Sequence, residues 1–249
     1  MNMVINMSDG KPELFELYND YAYKVRKEVH KGIPVNYIND ESETELSSYI
    51  AMFVLQVKLN KFIWSVSNRP SYEQNIMALL SETAEILDEF KPKWKWWGNG
   101  GNVNVDNVKE EIIDWLHFYL THVQITTGIG NIAWLNPLMD DNESYILEDI
   151  IPKLSFNPVP LWSYDEILEE IVNLFRSVAT LYYRNVESEV VESIEKLIGT
   201  YMDSDEVFEK YVEKSFENYM RQVQGGRYGK GVTIEDLKNY IHNEFSNLF

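Results

Sequence analysis

The chain has 249 residues, of which 45% are hydrophobic, and its 40 acidic and 22 basic side chains give a net charge of −18. This hydrophobic content is sufficient for a folded core and argues against disorder, whereas the acidic charge argues against binding to nucleic acid or to an anionic membrane. The absence of cysteine excludes disulfides, thiolate metal sites and a cysteine nucleophile, and it suits an intracellular protein. Because no signal peptide or long apolar run is evident, we expect a cytoplasmic location, the host cytoplasm if the protein is phage-encoded.

Apolar residues recur with the helical period through most of the chain, which predicts an all-α fold, a helical bundle. In chain order, the predicted helices cover residues 11–31, 41–67, 71–91, 105–127, 163–183 and 187–202, then 204 to about 225, and 233 to the C-terminus. Their predicted ends are marked by Pro34, Pro70, Gly128 and Gly130 and by a capping box at Ser163. We expect a single domain with a core at about 42–130 and 203–249 and a helical insertion at about 131–202 that covers the core or a subunit interface.

Two neighbouring predicted helices each carry two acidic residues three positions apart, Glu82 with Glu85 and Glu111 with Asp114. Residues at i and i+3 share one face of a helix, so antiparallel packing of these helices would bring four carboxylates together. Similar pairs elsewhere in this acidic chain are typical of solvated helix faces. These four, however, lie among Leu, Ile, Ala and Trp, where a charge is costly to bury unless it is paired or binds a metal.

Hard oxygen ligands that leave coordination sites for phosphate oxygens suit Mg²⁺. The four acids therefore indicate a Mg²⁺-dependent nucleotide hydrolase, with a solvated acidic surface as the alternative that spacing alone leaves open.

Two amides and a lysine are further candidates for contacts with a nucleotide. Gln56 and Asn60 are four residues apart in an apolar helix, so both amides point the same way, toward either neighbouring protein groups or a base or sugar. Lys95 lies within the tryptophan-rich residues 93–97 and could reach a phosphate, although such dense aromatic residues are more typical of a packed corner.

Lys214, Asn218 and Arg221 follow one stripe of a late helix that leads into a glycine-rich, basic segment. Two cations and an amide in so acidic a chain indicate binding of a phosphate chain. The alternative is a solvated helix end whose cations interact with the helix dipole.

His117 follows Asp114 by three residues and could be a metal ligand, an outer partner of one, or a structural histidine. A di-iron bundle would require two Glu-x-x-His motifs. Because this region has only Asp114-x-x-His117, we do not pursue a di-iron site.

Taken in chain order, these motifs resemble those of the dimeric dUTPases and the phage dCTPase/dUTPase group, which belong to the all-α, MazG-like NTP pyrophosphatases. The acidic pairs resemble the family's Glu-x-x-Glu and Glu-x-x-Asp motifs, and the sequence WKWW resembles its tryptophan-rich segment. Further similar positions are Leu55, Gln56, Leu59, Asn60, His117, Phe118, Lys214, Asn218, Arg221, Gln222 and Tyr228. Ser215 departs from the asparagine usual in the family, and an additional residue or two, including Arg227, precedes Tyr228.

The resemblance implies a homodimeric enzyme that hydrolyses dUTP to dUMP and pyrophosphate, with dUDP as a further candidate substrate. It implies that the catalytic carboxylates bind two or more Mg²⁺ ions; the implied ligands are Glu82, Glu85, Glu111 and Asp114. As a further hypothesis, Glu82 or Glu85 acts as base for the attacking water. The implied phosphate-binding residues are Lys214, Arg221 and Tyr228, and Lys95 of the tryptophan-rich segment is a further candidate. The implied base- and sugar-binding residues are Gln56, Asn60 and Asn218.

The base and the class of function each have an alternative. A primary amide offers a donor and an acceptor, so it can pair with uracil or, rotated by half a turn, with cytosine. A dCTP or dual dCTP/dUTP pyrophosphatase is therefore the second hypothesis. The third is a non-enzymatic acidic protein that mimics DNA, which would need its acids on the outer surface.

Overall fold

The computed structural model describes residues 11–32, 43–98, 100–128, 160–161, 163–183, 187–224, 226–228 and 231–246. Within these ranges the chain forms nine helices and no strand, which confirms the predicted all-α fold. The helices are α1 (Lys11–Gly32), α2 (Glu43–Val66), α3 (Tyr72–Glu89), α4 (Lys91–Trp94), α5 (Val105–Thr127), α6 (Tyr164–Thr180), α7 (Glu187–Tyr201), α8 (Ser204–Gln222) and α9 (Ile234–Ser246). The predicted helices agree with these bounds to within a few residues, and only the short α4 was not predicted.

Several predicted helix ends are confirmed by their hydrogen bonds. Ser163 and Glu166 form the expected capping box at the start of α6, and the Thr233 hydroxyl accepts from the Asp236 backbone N–H before α9. Gly128 ends α5 with φ 70°, a left-handed conformation that costs glycine little. The predicted breaks at Pro34 and Gly130, and most of the segment 131–162, lie outside the described residues.

Helix α2 forms the centre of the bundle, since every residue from 46 to 60 is buried. It packs against α1, α5 and α8, while α5 also contacts α3, α7 and α8. Helices α6 and α7 pack against each other, and they contact α3 and α5 respectively. The helical part of the predicted insertion therefore covers the same helices that carry the acidic pairs.

Helices α3 and α5 are antiparallel, as the acidic pairs require. Side-chain hydrogen bonds join them in opposite order along the chain: Asn75 to the Phe118 carbonyl, Trp115 to Thr83, and Asn107 to Glu89. Among the helices described, none combines the length and the apolar character needed to cross a membrane.

Candidate functional site

The acidic residues of α3 and α5 meet in what we call the carboxylate cluster (Glu82, Glu85, Glu111 and Asp114). One carboxylate oxygen from each of Glu82, Glu111 and Asp114 lies within 4.8 Å of the other two, and these three side chains are partly buried. Glu85 is exposed at the edge of the cluster. The three close acids offer hard oxygen ligands on a scale that fits a divalent cation.

The cluster is electrostatically unfavourable without a cation. Burial, together with the charges of Glu85, Asp114 and Glu111, raises the pKa of Glu82 to about 7, against a lowering by Lys214. Burial, together with the charges of Asp114 and Glu85, likewise raises the pKa of Glu111 to about 7, again against a lowering by Lys214. Like charges in a partly desolvated site favour protonation, and a bound cation would reverse that preference.

Lys214 reaches this cluster from a third helix, α8. Its Nζ lies 2.7 Å from Asp114 Oδ2, and 16% of the lysine side chain and 24% of the aspartate side chain are exposed. The positive charge of Lys214 lowers the pKa of both Glu82 and Glu111. It offsets part of the repulsion within the cluster.

A buried hydrogen bond joins α3 and α5 directly beside the cluster. The Trp115 indole N–H donates to Thr83 Oγ1 over 3.0 Å, and the Thr83 hydroxyl donates to the Leu79 carbonyl. Both side chains are fully buried. Since Thr83 follows Glu82 and Trp115 follows Asp114, the core contact and the two carboxylates share the same turns of helix.

Further along α5 lies a second group of polar residues, which we call the amide network; it consists of Gln56, Asn60, His117, Thr121, Gln124 and Tyr211. All six are buried. Gln56 Nε2 donates to Asn60 Oδ1 and to Thr121 Oγ1, each over 3.0 Å. Asn60 Nδ2 donates to Thr121 Oγ1 over 3.0 Å and to Gln124 Oε1 over 2.7 Å.

The network uses every amide hydrogen of Gln56 and Asn60. Gln56 Oε1 accepts from the Tyr211 hydroxyl, and it lies 2.7 Å from His117 Nδ1. An amide oxygen can only accept, so Nδ1 carries the imidazole proton. The predicted amides are therefore satisfied by protein groups in this state, and their contact with a base or sugar stays a prediction.

His117 belongs to the amide network and is not one of the three close ligands of the cluster. Its ring stacks on Tyr211 with centroids 4.2 Å apart. Burial lowers the pKa of His117 to about 3, and the positive charges of Lys214 and Arg221 act in the same direction. The imidazole is therefore neutral at physiological pH.

The remaining predicted residues lie around α8 and α4. Arg221 Nη1 donates to Asn218 Oδ1 over 2.8 Å, so these two side chains form a pair on the last turns of α8. Tyr228 is half-exposed, and its backbone N–H donates to the Arg221 carbonyl. The ammonium of Lys95 lies over the ring of Trp94. In the described structure, neither Lys95 nor Tyr228 forms an ion pair or hydrogen bond with the cluster.

Three members of the amide network were not predicted: Thr121, Gln124 and Tyr211. Thr121 lies seven residues after Asp114, close to two helical turns, which places it on the acid-bearing face of α5, and this periodicity was a usable signal. Gln124 is rotated by about 80° from Asp114, so it lies beside that face. Tyr211 lies on α8, 155 residues from Gln56. Nothing local in the sequence indicates that contact.

Fold and site together define a class: an all-α protein in which two antiparallel helices present clustered carboxylates and a third helix adds a lysine. A comparison with known families agrees with this class and identifies a particular family, since the dUTPase family matches residues 49–226. The chain belongs to the dUTPase family, which supports a role as a nucleotide hydrolase. No curated protein and no solved structure matches the chain significantly.

Proposed function

We propose that the protein hydrolyses dUTP to dUMP and pyrophosphate in a Mg²⁺-dependent reaction, with dUDP as a second substrate. The observation that carries this proposal is the carboxylate cluster, in which three acids of a dUTPase-family chain lie within 4.8 Å of one another. Three carboxylates so close together, with Glu85 beside them, favour a bound counter-charge, and the nucleotide's metal would supply it.

Glu82, Glu85, Glu111 and Asp114 would bind two or more Mg²⁺ ions. When bound, Mg²⁺ neutralises charge on the phosphates and lowers the pKa of a coordinated water. Glu82 or Glu85 would accept the proton of the attacking water at a carboxylate oxygen. The substrate's triphosphate would contact the cationic side chains of Lys214 and Arg221, with Lys95 and Tyr228 closing over it.

Gln56, Asn60 and Asn218 would bind the base and the deoxyribose. For Gln56 and Asn60, binding requires an exchange of partners, because each amide hydrogen now donates to a protein oxygen. The same amide can serve uracil or cytosine according to its rotation. A dCTP or dual dCTP/dUTP pyrophosphatase is therefore the alternative within this proposal.

The direct test is pyrophosphate release from dUTP, dUDP, dCTP, dTTP, dATP, dGTP and UTP, with Mg²⁺ and with EDTA. We expect dUTP to be the best substrate and EDTA to abolish turnover. Faster turnover of dCTP than of dUTP would support the alternative, a dCTP pyrophosphatase. No turnover of any nucleotide with Mg²⁺ would favour a non-enzymatic acidic binding protein instead.

We also propose a cytoplasmic homodimer that binds nucleotides but neither nucleic acid nor membranes. The resemblance to dimeric dUTPases motivates the dimer, and the net charge of −18 motivates the exclusion of anionic partners. Light scattering coupled to size-exclusion chromatography would check the dimer; a mass of one chain at micromolar concentration would contradict it.

A further inference from the structure

Lys214 is the cation that contacts the carboxylate cluster within the described part of the chain. Its ammonium lies 2.7 Å from Asp114 Oδ2, and both side chains are mostly removed from solvent. An ion pair in such a setting is screened less than one on the open surface. The contact therefore holds Asp114 more firmly than an ordinary surface salt bridge would.

This ammonium and a divalent cation would compete for Asp114. Mg²⁺ binds carboxylate oxygens at about 2.0–2.1 Å, so an ion bound to Asp114 would lie within a few ångströms of the present Lys214 Nζ. Two cations so close repel each other strongly in a partly desolvated site. A metal on either Asp114 oxygen would therefore bind more weakly while the ammonium stays in place.

We propose that Lys214 is the resident counter-cation of the carboxylate cluster, and that its ammonium competes with a divalent metal for Asp114. This inference rests on the proposed function, since it assumes that the cluster binds the metal. It gives Lys214 two successive partners: Asp114 in the free protein, and the phosphate oxygens of the nucleotide once metal is bound.

Lys214 has room to move away from Asp114. A cleft of about 110 Å³ lies between α5 and α8 and is lined by Glu110, Ile113, Lys210, Glu213, Lys214 and Glu217. Its three glutamates give the ammonium acidic neighbours outside the cluster. Release from Asp114 therefore does not leave the charge without compensation.

Isothermal titration of Mg²⁺ into the nucleotide-free protein tests the competition directly. Lys214→Met removes the competing charge and retains the aliphatic stem, so we expect it to bind Mg²⁺ about tenfold more tightly than the wild type. Lys214→Arg keeps the charge and should stay within about twofold of the wild type. Lys210→Met is the matched control, one helical turn earlier, and should also stay within about twofold.

A second titration measures how the nucleotide changes metal affinity, using a dUTP analogue with an α,β-imido bridge that resists hydrolysis. In the wild type, the phosphates would take up the released ammonium, so the analogue should increase Mg²⁺ affinity by a larger factor than in Lys214→Met. Circular dichroism would verify that each variant is folded.

Equal or weaker Mg²⁺ binding by Lys214→Met, beside measurable binding by the wild type, would overturn the role of Lys214 and leave the proposed function standing. An equal coupling factor in both proteins would also overturn it. Absence of Mg²⁺ binding in every variant, with and without the analogue, would overturn the proposed function itself.

Discussion

Helix α5 contributes to two groups of polar residues that have similar sequence patterns but differ in how their polar atoms are paired. Both the carboxylate cluster and the amide network consist of polar residues at helical spacing within apolar helices. In the amide network, the hydrogens of Gln56 and Asn60 all donate to protein oxygens. In the carboxylate cluster, the acids repel one another, and among the residues that the structure describes it is Lys214 that offsets their charge.

This difference in pairing distinguishes polar residues that stabilise the fold from polar residues that a bound ligand would stabilise. The Gln56 and Asn60 amides gain nothing from an added cation or nucleotide unless their bonds first exchange, although His117 Nε2 in the same network is buried without a hydrogen-bond partner. A cluster of like charges, in contrast, is stabilised by whatever cation enters it. We therefore expect substitutions in the cluster to affect chemistry, and substitutions in the network to affect stability.

The largest effect is expected for Glu82→Gln. The amide retains the shape of the side chain but removes a charge from the three close ligands, so kcat for dUTP should fall by about 10³-fold or more. The fold should remain intact, because the substitution relieves repulsion. Steady-state kinetics and thermal unfolding measure the two effects. Glu110→Gln, which changes an exposed acid of α5, is the control and should stay near wild type. Full activity of Glu82→Gln would remove this residue from the site.

Gln56→Leu, in contrast, should destabilise the protein. The substitution leaves the Tyr211 hydroxyl, His117 Nδ1–H and Asn60 Oδ1 without their partner in a buried setting, at a cost of about 2–4 kcal/mol in the free energy of unfolding. Urea denaturation measures this cost. Asn68→Ala, an exposed amide after the same helix, should change stability by less than about 0.5 kcal/mol. A stable Gln56→Leu protein would contradict the structural role of the network.

The next largest effect concerns the pH dependence of stability, which should differ between the carboxylate cluster and the amide network. Glu82 and Glu111 have pKa values raised to about 7 in the folded protein, against an ordinary value near 4.5. Their protonated forms favour folding, so this contribution is full below pH 4.5 and is lost as the pH rises through 7. His117, whose pKa is lowered to about 3, acts in the opposite sense and favours folding increasingly as the pH rises toward about 6.5.

The double variant Glu82→Gln/Glu111→Gln isolates the acid contribution, because His117 is common to both proteins. Without metal, the wild type should lose roughly 1–3 kcal/mol of unfolding free energy relative to the variant between pH 4.5 and 8, after allowance for solvent screening of the half-exposed acids. Urea melts in EDTA across this range provide the measurement. Parallel pH profiles for the two proteins would refute the predicted shifts.

The smallest effect concerns Asn218, at the margin of the site. Asn218→Ala removes a predicted base or sugar contact and the acceptor that orients Arg221, so KM for dUTP should rise by about tenfold with little change in kcat. The chain offers a matched control in Asn173, which accepts from Arg176 with the same spacing on α6. Asn173→Ala should leave both constants unchanged. An equal effect of the two variants would exclude a specific role for Asn218.

The helices and the approach of the acids followed from the sequence, because both depend on local periodicity. Glu82 and Asp114 are embedded among apolar residues, and antiparallel packing of their helices suffices to bring them together. The difference in exposure between Glu82 and Glu85 was not predictable in the same way. Residues at i and i+3 share a face only approximately, and the exact helix rotation, set by packing, decides which one lies at the edge.

The state of the amides could not be predicted, because it depends on distant partners. The spacing of Gln56 and Asn60 correctly indicated a shared direction. Their acceptor Thr121 lies on α5, 65 residues from Gln56, and the Tyr211 hydroxyl comes from α8. Whether a buried amide meets protein or ligand is decided by which helices pack beside it, and local spacing carries no information on that.

The hydrogen bond between Trp115 and Thr83 has a consequence for how the site can evolve. Since these residues directly follow Asp114 and Glu82, an interior contact that no solvent or substrate reaches sets the distance between opposing carboxylates. A substitution such as Trp115→Phe would change that distance without altering any ionisable group. If the cluster binds a metal as proposed, its preference among metals would then depend also on buried residues that do not contact the ion.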